Sequence, residues 1–338
     1  MNGGPPLALT MGDPAGIGGE LTLKAWLART DVSPRFLALD DPTRLAALAR
    51  ALDWPVPVVA VDGPEAASAA FADGLPVLPI RLTHPGTPGC PDRRNAASVL
   101  GSIEAAVRLA QSGRASGIVT NPINKAVLYA AGFPFPGHTE YLAELAGGTA
   151  VPVMMLAGPS LRVVPVTIHL ALAEALRVLD GAAILAAART TWVALRRDFG
   201  IPRPRLAIAG VNPHAGENGA MGMEDRDVVA PAVACLRGEG LDVAGPLPAD
   251  SLFTPAARAG YDAAICMYHD QALIPIKALD FDRAVNVTLG LPFVRTSPDH
   301  GTAFDIAGSG RASATSLLAA LKLADAIARR RAHTPAVR

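Results

Sequence analysis

Short apolar runs alternate along the chain with longer amphipathic segments. The runs LALTM (7–11), FLALD (36–40), PVPVVAV (55–61), LPVLPI (75–80), GIVT (117–120), PVMMLA (152–157), VVPVTI (163–168), LAIAGV (206–211), AAICMY (263–268) and AVNVTL (284–289) read as strands. Helices are expected between them. PTRLAALARAL follows the capping pair Asp40-Asp41, and AASVLGSIEAAVRLAQSG ends at a glycine. DGAAILAAARTTWVALRRDFG carries Arg196 and Arg197 in its last turn, and ASATSLLAALKLADAIARRRA has a basic end. The alternation predicts an α/β fold with a largely parallel sheet. The Gly/Pro-rich stretches 83–94 and 132–138 read as surface loops, the second as a candidate hinge, and the tail HTPAVR reads as frayed.

Composition narrows the function classes. The 338 residues fit one large or two medium domains, and 30 basic residues balance 30 acidic ones. A neutral chain without a basic block has no surface for nucleic acid or for an anionic membrane. Cys90, Cys235 and Cys266 are far apart, so neither a disulfide framework nor a cysteine metal site is expected, and a reducing cytoplasm fits. MNGGPPLALTMGD has no signal-peptide pattern, and the longest notable uncharged stretch, 145–161, is interrupted by Gly and Pro. A soluble cytoplasmic protein is expected. Only Lys24, Lys125, Lys277 and Lys322 are lysines, the other 26 basic residues being arginine. Lys24 and Lys322 sit in helical segments and need no special role.

Three histidines follow strand candidates directly: His169 after VVPVTI, His214 after LAIAGVNP and His269 after AAICMY. Parallel strands present their carboxyl ends on one edge, where three imidazoles can converge on a divalent metal and leave a position open. Hydrogen-bonded histidines at a sheet edge are the competing reading. Asp270 and Asp250 are candidate orienting carboxylates or further ligands, or plain turn residues. TMGDPAGIGGE is glycine-rich but matches neither dinucleotide-binding nor P-loop spacing, so a tight strand-to-helix turn is expected. In GHTE, His138 and Thr139 follow a proline-rich loop and are expected to be presented rather than packed. Lys125 near a helix start, Lys277, Asn286 and Arg295 are candidates for holding a phosphorylated acid, with ordinary surface charge as the alternative for Lys125 and Arg295.

The ordered set MGDPAGIG, TNPINK, GHTEYL, VMMLA, VPVTIHLAL, GVNPHAGE, GPLPAD, MYHDQ and VNVTLGLPFVRTSPDHGTAFDIAG, from residue 8 to about 312, resembles the bacterial 4-hydroxythreonine-4-phosphate dehydrogenase family. Distant kin are the isocitrate and isopropylmalate dehydrogenases. The resemblance implies a two-domain fold of that kind, with mixed, largely parallel sheets and a cleft between domains: 1–125 plus 290–338 as one domain, 126–289 as the other. It implies oxidation of 4-phosphohydroxy-L-threonine by NAD or NADP, followed by decarboxylation, in pyridoxine phosphate biosynthesis. It implies a divalent metal (Zn, Co or Mg) on His169, His214 and His269. Substrate would lie on His138, Thr139, Lys277, Asn286 and Arg295, and cofactor on the loop His300-Gly301-Thr302. Lys277, Asp250 and Asp270 are the catalytic candidates, and a homodimer would share its active sites. Two departures stand out: Phe304 where the distant kin have proline, and Gly19 where the family has proline in GIGPE, the latter expected to matter little. A catabolic relative acting on 4-phosphothreonate or 4-phosphoerythronate, a metal-dependent hydrolase and a non-catalytic metabolite sensor are the alternatives.

Overall fold

The computed structural model describes residues 4–148 and 151–333. The residues from 334 on, most of the tail expected to fray, lie outside them. Among the described residues the strands are β1 (Leu7–Thr10), β2 (Phe36–Asp40), β3 (Val58–Ala60), β4 (Leu75–Pro79), β5 (Gly117–Val119), β6 (Val153–Ala157), β7 (Arg162–Pro165), β8 (Arg205–Ala209), β9 (Asp242–Leu247), β10 (Ala263–Cys266), β11 (Val285–Leu289) and β12 (Arg295–Pro298). Every apolar run expected to be a strand overlaps one. The chain divides into two compact units, 4–148 with 291–329 and 151–290 with 330–333.

In the first unit the strand order is β3-β4-β2-β1-β5-β12, with every pairing parallel. The helix Ala96–Gln111 buries Val99, Ile103 and Ala106 at helical spacing and packs on β1, β2 and β5. The boundary expected near 125 falls at 150, because Leu128, Phe133, Tyr141 and Leu142 join the core of the first unit with Ile103 and Phe293. The stretch 132–138 is therefore anchored: the Phe133 ring lies 5.1 Å from Tyr141 and 5.4 Å from Phe135.

In the second unit the order is β11-β6-β7-β10-β8-β9. Here β6 runs antiparallel to β11 and β7, whereas β7, β10, β8 and β9 are mutually parallel. Leu156, Val163, Ala207, Ala264 and Ile276 form its core. The helix Gly181–Arg197 starts where the Asp180 carboxylate accepts from the Ala183 amide at 2.7 Å. Among the described residues no single helix is long and apolar enough to cross a membrane.

Candidate active site

The order β7-β10-β8 explains the three histidines of the second unit. These are adjacent parallel strands, followed within a few residues by His169, His269 and His214. Neighbouring strands lie about 4.8 Å apart, so the three strand ends span roughly 10 Å. The His169 and His269 rings have centroids 5.7 Å apart. His269 opens the helix His269–Asp280, and its Nδ1 lies 2.6 Å from Asp270 Oδ1. A carboxylate there accepts a hydrogen bond from Nδ1–H and so favours the tautomer with the lone pair on Nε2, the arrangement a metal ligand needs. Between His169 and His269 opens a pocket of about 260 Å³ walled by Leu170, Leu172 and Tyr268.

His169 and His214 both adopt left-handed backbone conformations, φ 55° and 53°. From His214 to Asn218 every φ is positive. Non-glycine residues lose about 1–2 kcal/mol each in this region, so the surroundings must enforce it. Buried Asp225 braces the segment leading into it, accepting from the Val211 amide at 2.7 Å and the Asn212 amide at 2.9 Å. Among the described residues no three His, Cys, Asp or Glu side chains converge within this single chain.

The other candidates of this unit are dispersed. Asp250 is exposed in the short helix Ala249–Leu252, which packs on the segment carrying His214, and its Oδ1 accepts from the Ser251 amide. Half-buried Lys277 lies eight residues beyond His269 on one helix, roughly 12 Å along its axis. Asn286 on β11 has a buried Oδ1 that accepts no hydrogen bond. Such an atom in a native fold calls for an unseen partner.

In the first unit a cationic cluster gathers where β5 and β12 pair. Arg295 is 4% exposed, and its Nη2 donates to Thr120 Oγ1 at 2.7 Å. It is thus no surface charge. Burial lowers the guanidinium from its ordinary 12.5 to about 10, against the opposing pull of Glu140. His138 opens the helix His138–Leu145. Rather than being presented, it is half-buried with Nε2 shut off from solvent and unbonded. Burial, then the charges of Arg295 and Lys125, hold its pKa well below 6.5, so the ring is neutral at pH 7. Thr139 follows in the first helical turn.

The loop after β12 is bound to the first strand-to-helix turn. The Ile17 amide donates to Thr302 O at 3.0 Å, and a Cβ on Gly16 would stand only 2.9 Å from that oxygen. The Gly308 amide donates to buried Glu20 Oε1. Lys24 Nζ donates to Gly310 O at 2.7 Å and Ala312 O at 2.5 Å, so this lysine does have a role. Half-buried His300 turns Nδ1 toward Gly301 O at 3.0 Å. Beside this loop lies a cleft of about 580 Å³ whose walls include Gly16, Glu20, Arg44, His84 and Gly308. A Cβ at Gly19 would stand 3.0 Å from Arg44 Nη1 and Leu48 Cδ2, the outer ends of two flexible side chains on the helix Pro42–Ala51.

Thr120, Glu20 and Gln271 were missed as site residues, although TNPINK, GIGGE and MYHDQ contain them. Each is a polar residue whose burial only the fold reveals.

Residues 33–324 match a protein family described as pyridoxal phosphate biosynthetic protein PdxA. A 4-hydroxythreonine-4-phosphate dehydrogenase of Bradyrhizobium diazoefficiens is 52% identical over 96% of this chain and 97% of its own length. The crystal structure of a 4-hydroxythreonine-4-phosphate dehydrogenase from Klebsiella pneumoniae superimposes with TM-score 0.85 at 39% identity, covering 96% of this chain and 99% of that one. A terephthalate 1,2-cis-dihydrodiol dehydrogenase from Burkholderia xenovorans is similar at TM-score 0.66 and 29% identity, covering 95% of this chain and 98% of that one.

Proposed function

The chain belongs to the PdxA family of pyridoxal phosphate biosynthetic proteins, and on that premise we propose that it oxidises the C3 hydroxyl of 4-phosphohydroxy-L-threonine with NAD or NADP. The product, 2-amino-3-oxo-4-phosphooxybutanoate, loses carbon dioxide to give 3-amino-2-oxopropyl phosphate. The observation that carries the choice of a phosphorylated substrate is the Arg295–His138 pair: a buried guanidinium beside a buried, unbonded imidazole nitrogen. A guanidinium fork suits phosphate oxygens, and a neutral ring protonated at Nε2 adds a donor without a second buried charge. The amides opening His138–Leu145 and the Thr139 hydroxyl complete an anion cradle. Asn286 and Lys277 are assigned to the rest of the substrate.

His169, His214 and His269 would hold the divalent ion. The donor chemistry fits: three imidazoles on adjacent strand ends, one already oriented by Asp270, which favours zinc or cobalt over magnesium. When bound, the ion supplies Lewis acidity that eases ionisation of the substrate hydroxyl. Lys277 and Asp250 are the candidates for moving the proton released. The nicotinamide cofactor supplies the hydride acceptor, and the cleft beside Thr302 and Gly308, with His300 and Gly301 at its loop, is its assigned place. A homodimer is supported by exposed Leu170 and Leu172 next to His169, with Ile274 and Phe281 65% and 70% exposed on or just after the helix of His269. A second copy there would complete a metal set that the described residues of one chain do not bring together. A cytoplasmic location fits this biosynthetic role.

The test is NADH formation on a panel of 4-phosphohydroxy-L-threonine, 4-phosphothreonate and 4-phosphoerythronate, with and without chelator and with zinc, cobalt or magnesium restored. Preference for the first substrate supports the reading. Preference for either of the others reassigns the substrate, and full activity in chelator removes the metal.

A further inference from the structure

We propose that Gln271 and Thr167 are positioning residues that fix the histidine-bearing strand ends relative to one another through the backbone of a single residue, Met267. The inference rests on the metal reading above and adds to it the means by which the ligands are held.

The strand ladders stop short of the histidines. Pairing of β10 with β8 ends at Ile265↔Ile208, and pairing with β7 ends at Cys266↔Pro165. Beyond those rungs the Val166 amide still donates to Cys266 O at 2.8 Å and the Thr167 amide to Met267 O at 3.3 Å, and two buried side chains reinforce this last backbone bonding before the histidines. Gln271 is 7% exposed; its Oε1 accepts from the Met267 amide at 2.6 Å and its Nε2 donates to Gly210 O at 2.6 Å. Thr167 is 8% exposed, and its Oγ1 donates to Met267 O at 2.8 Å. Met267 is thus bonded at its N–H toward the His214 branch and at its C=O toward the His169 branch, two residues before His269.

A helix cap is the competing explanation for Gln271, which stands in the first turn of its helix and reaches back, though to the amide of Met267, one residue before the N-cap Tyr268. A cap needs only the acceptor. The second bond, from the amide nitrogen to a carbonyl on another strand, does nothing for the helix and spans the two histidine branches. Thr167 has no capping role at all.

The variants are Gln271→Met, which keeps length and loses both bonds, Thr167→Val, which is nearly isosteric, and Thr167→Ser, which restores the hydroxyl. Zinc affinity of the full-length protein is measured by competition with a chromophoric chelator. The visible spectrum of the cobalt-loaded protein reports ligand geometry, and thermal melting is followed in parallel. Supporting-residue losses of this kind weaken metal binding about 10–100-fold. That weakening, with an altered cobalt spectrum, is expected for Gln271→Met and Thr167→Val, and near-normal values for Thr167→Ser. Unchanged zinc affinity and cobalt spectrum in both variants, even with lower melting temperatures, would reduce the two residues to structural parts and overturn the proposal. If Gln271→Met does not fold, Thr167→Val against Thr167→Ser decides by the same readouts. Failure of the unaltered protein to bind zinc or cobalt would instead refute the metal reading, and the proposal with it.

Discussion

Replacing Arg295 by methionine separates a binding role from a structural one, because the two roles predict opposite signs. Burial holds the guanidinium near 10 instead of 12.5, and at about 1.4 kcal/mol per pH unit the folded protein spends roughly 3 kcal/mol keeping that charge at neutral pH. The side chain is 4% exposed, so water screens little of this. Methionine fills similar space without the charge. It loses the bond to Thr120 Oγ1, worth about 1 kcal/mol. The net expectation is a gain of about 1–2 kcal/mol, or a melting temperature higher by roughly 3–6 °C. Phosphate loses at least one charge-assisted pair, about 3 kcal/mol, so kcat/KM for the phosphorylated substrate falls roughly 100-fold. Differential scanning calorimetry and steady-state NADH formation read the two effects on one preparation. A lower melting temperature together with lower activity would mark Arg295 as a structural ion, and unchanged kcat/KM would remove it from the anion cradle.

Three further outcomes follow from the same geometry. Gly16→Ala places a methyl 2.9 Å from Thr302 O, and relieving that overlap costs about 1–3 kcal/mol; the KM for NAD should rise about tenfold while the KM for the phosphorylated substrate stays put, in initial-rate assays varying each in turn. His138 has a folded pKa well below 6.5, so below pH 6.5 the unfolded chain binds a proton that the folded chain refuses. Stability should therefore fall as pH drops from 6.5, and urea unfolding across pH 5–7.5 should show that slope flatten in His138→Asn. Ile274→Asp puts a charge on a residue 65% exposed on the helix that His269 opens; light scattering should find a monomer of low zinc affinity, and an unchanged dimer would move the interface elsewhere.

Much of the fold was legible because it is written in period and punctuation. The apolar runs coincide with strands, and the capping residue Asp41 stands where the helix Pro42–Ala51 begins. Two strands escaped for opposite reasons. β9 carries Gly245 and Pro246 inside its span, which read as a break. β12, with the sequence RTSP, is polar yet wholly buried, because Arg295, Thr296 and Ser297 spend their polarity inward. The helix His269–Asp280 was not anticipated, since Pro275 interrupts its pattern. The domain boundary moved from 125 to 150 because the aromatic cluster Phe133–Phe135–Tyr141 has no short-range signal telling which core it joins.

The site residues divide along the same line, and the division is physical. Which residue types stand after which strands is a local fact, so His169, His214 and His269 could be singled out from the chain alone. Whether the backbone aims them is decided by unfavourable conformations that no local preference selects. His214 and Ala215 are left-handed without being glycine, a state a short peptide of that sequence would leave at once. Buried Asp225, eleven residues after His214, takes the Val211 and Asn212 amides that lead into that stretch and so braces it from outside the local sequence. The same holds for Arg295, an ordinary surface charge by composition and a strained buried cation by packing. Local sequence thus nominates the reactive groups, and distant, chemically inert partners (Asp225, Gln271, Thr167, Thr120) hold them in states they would not keep alone. A variant that spares every nominated residue and removes one of these partners should therefore cost function while leaving the fold intact.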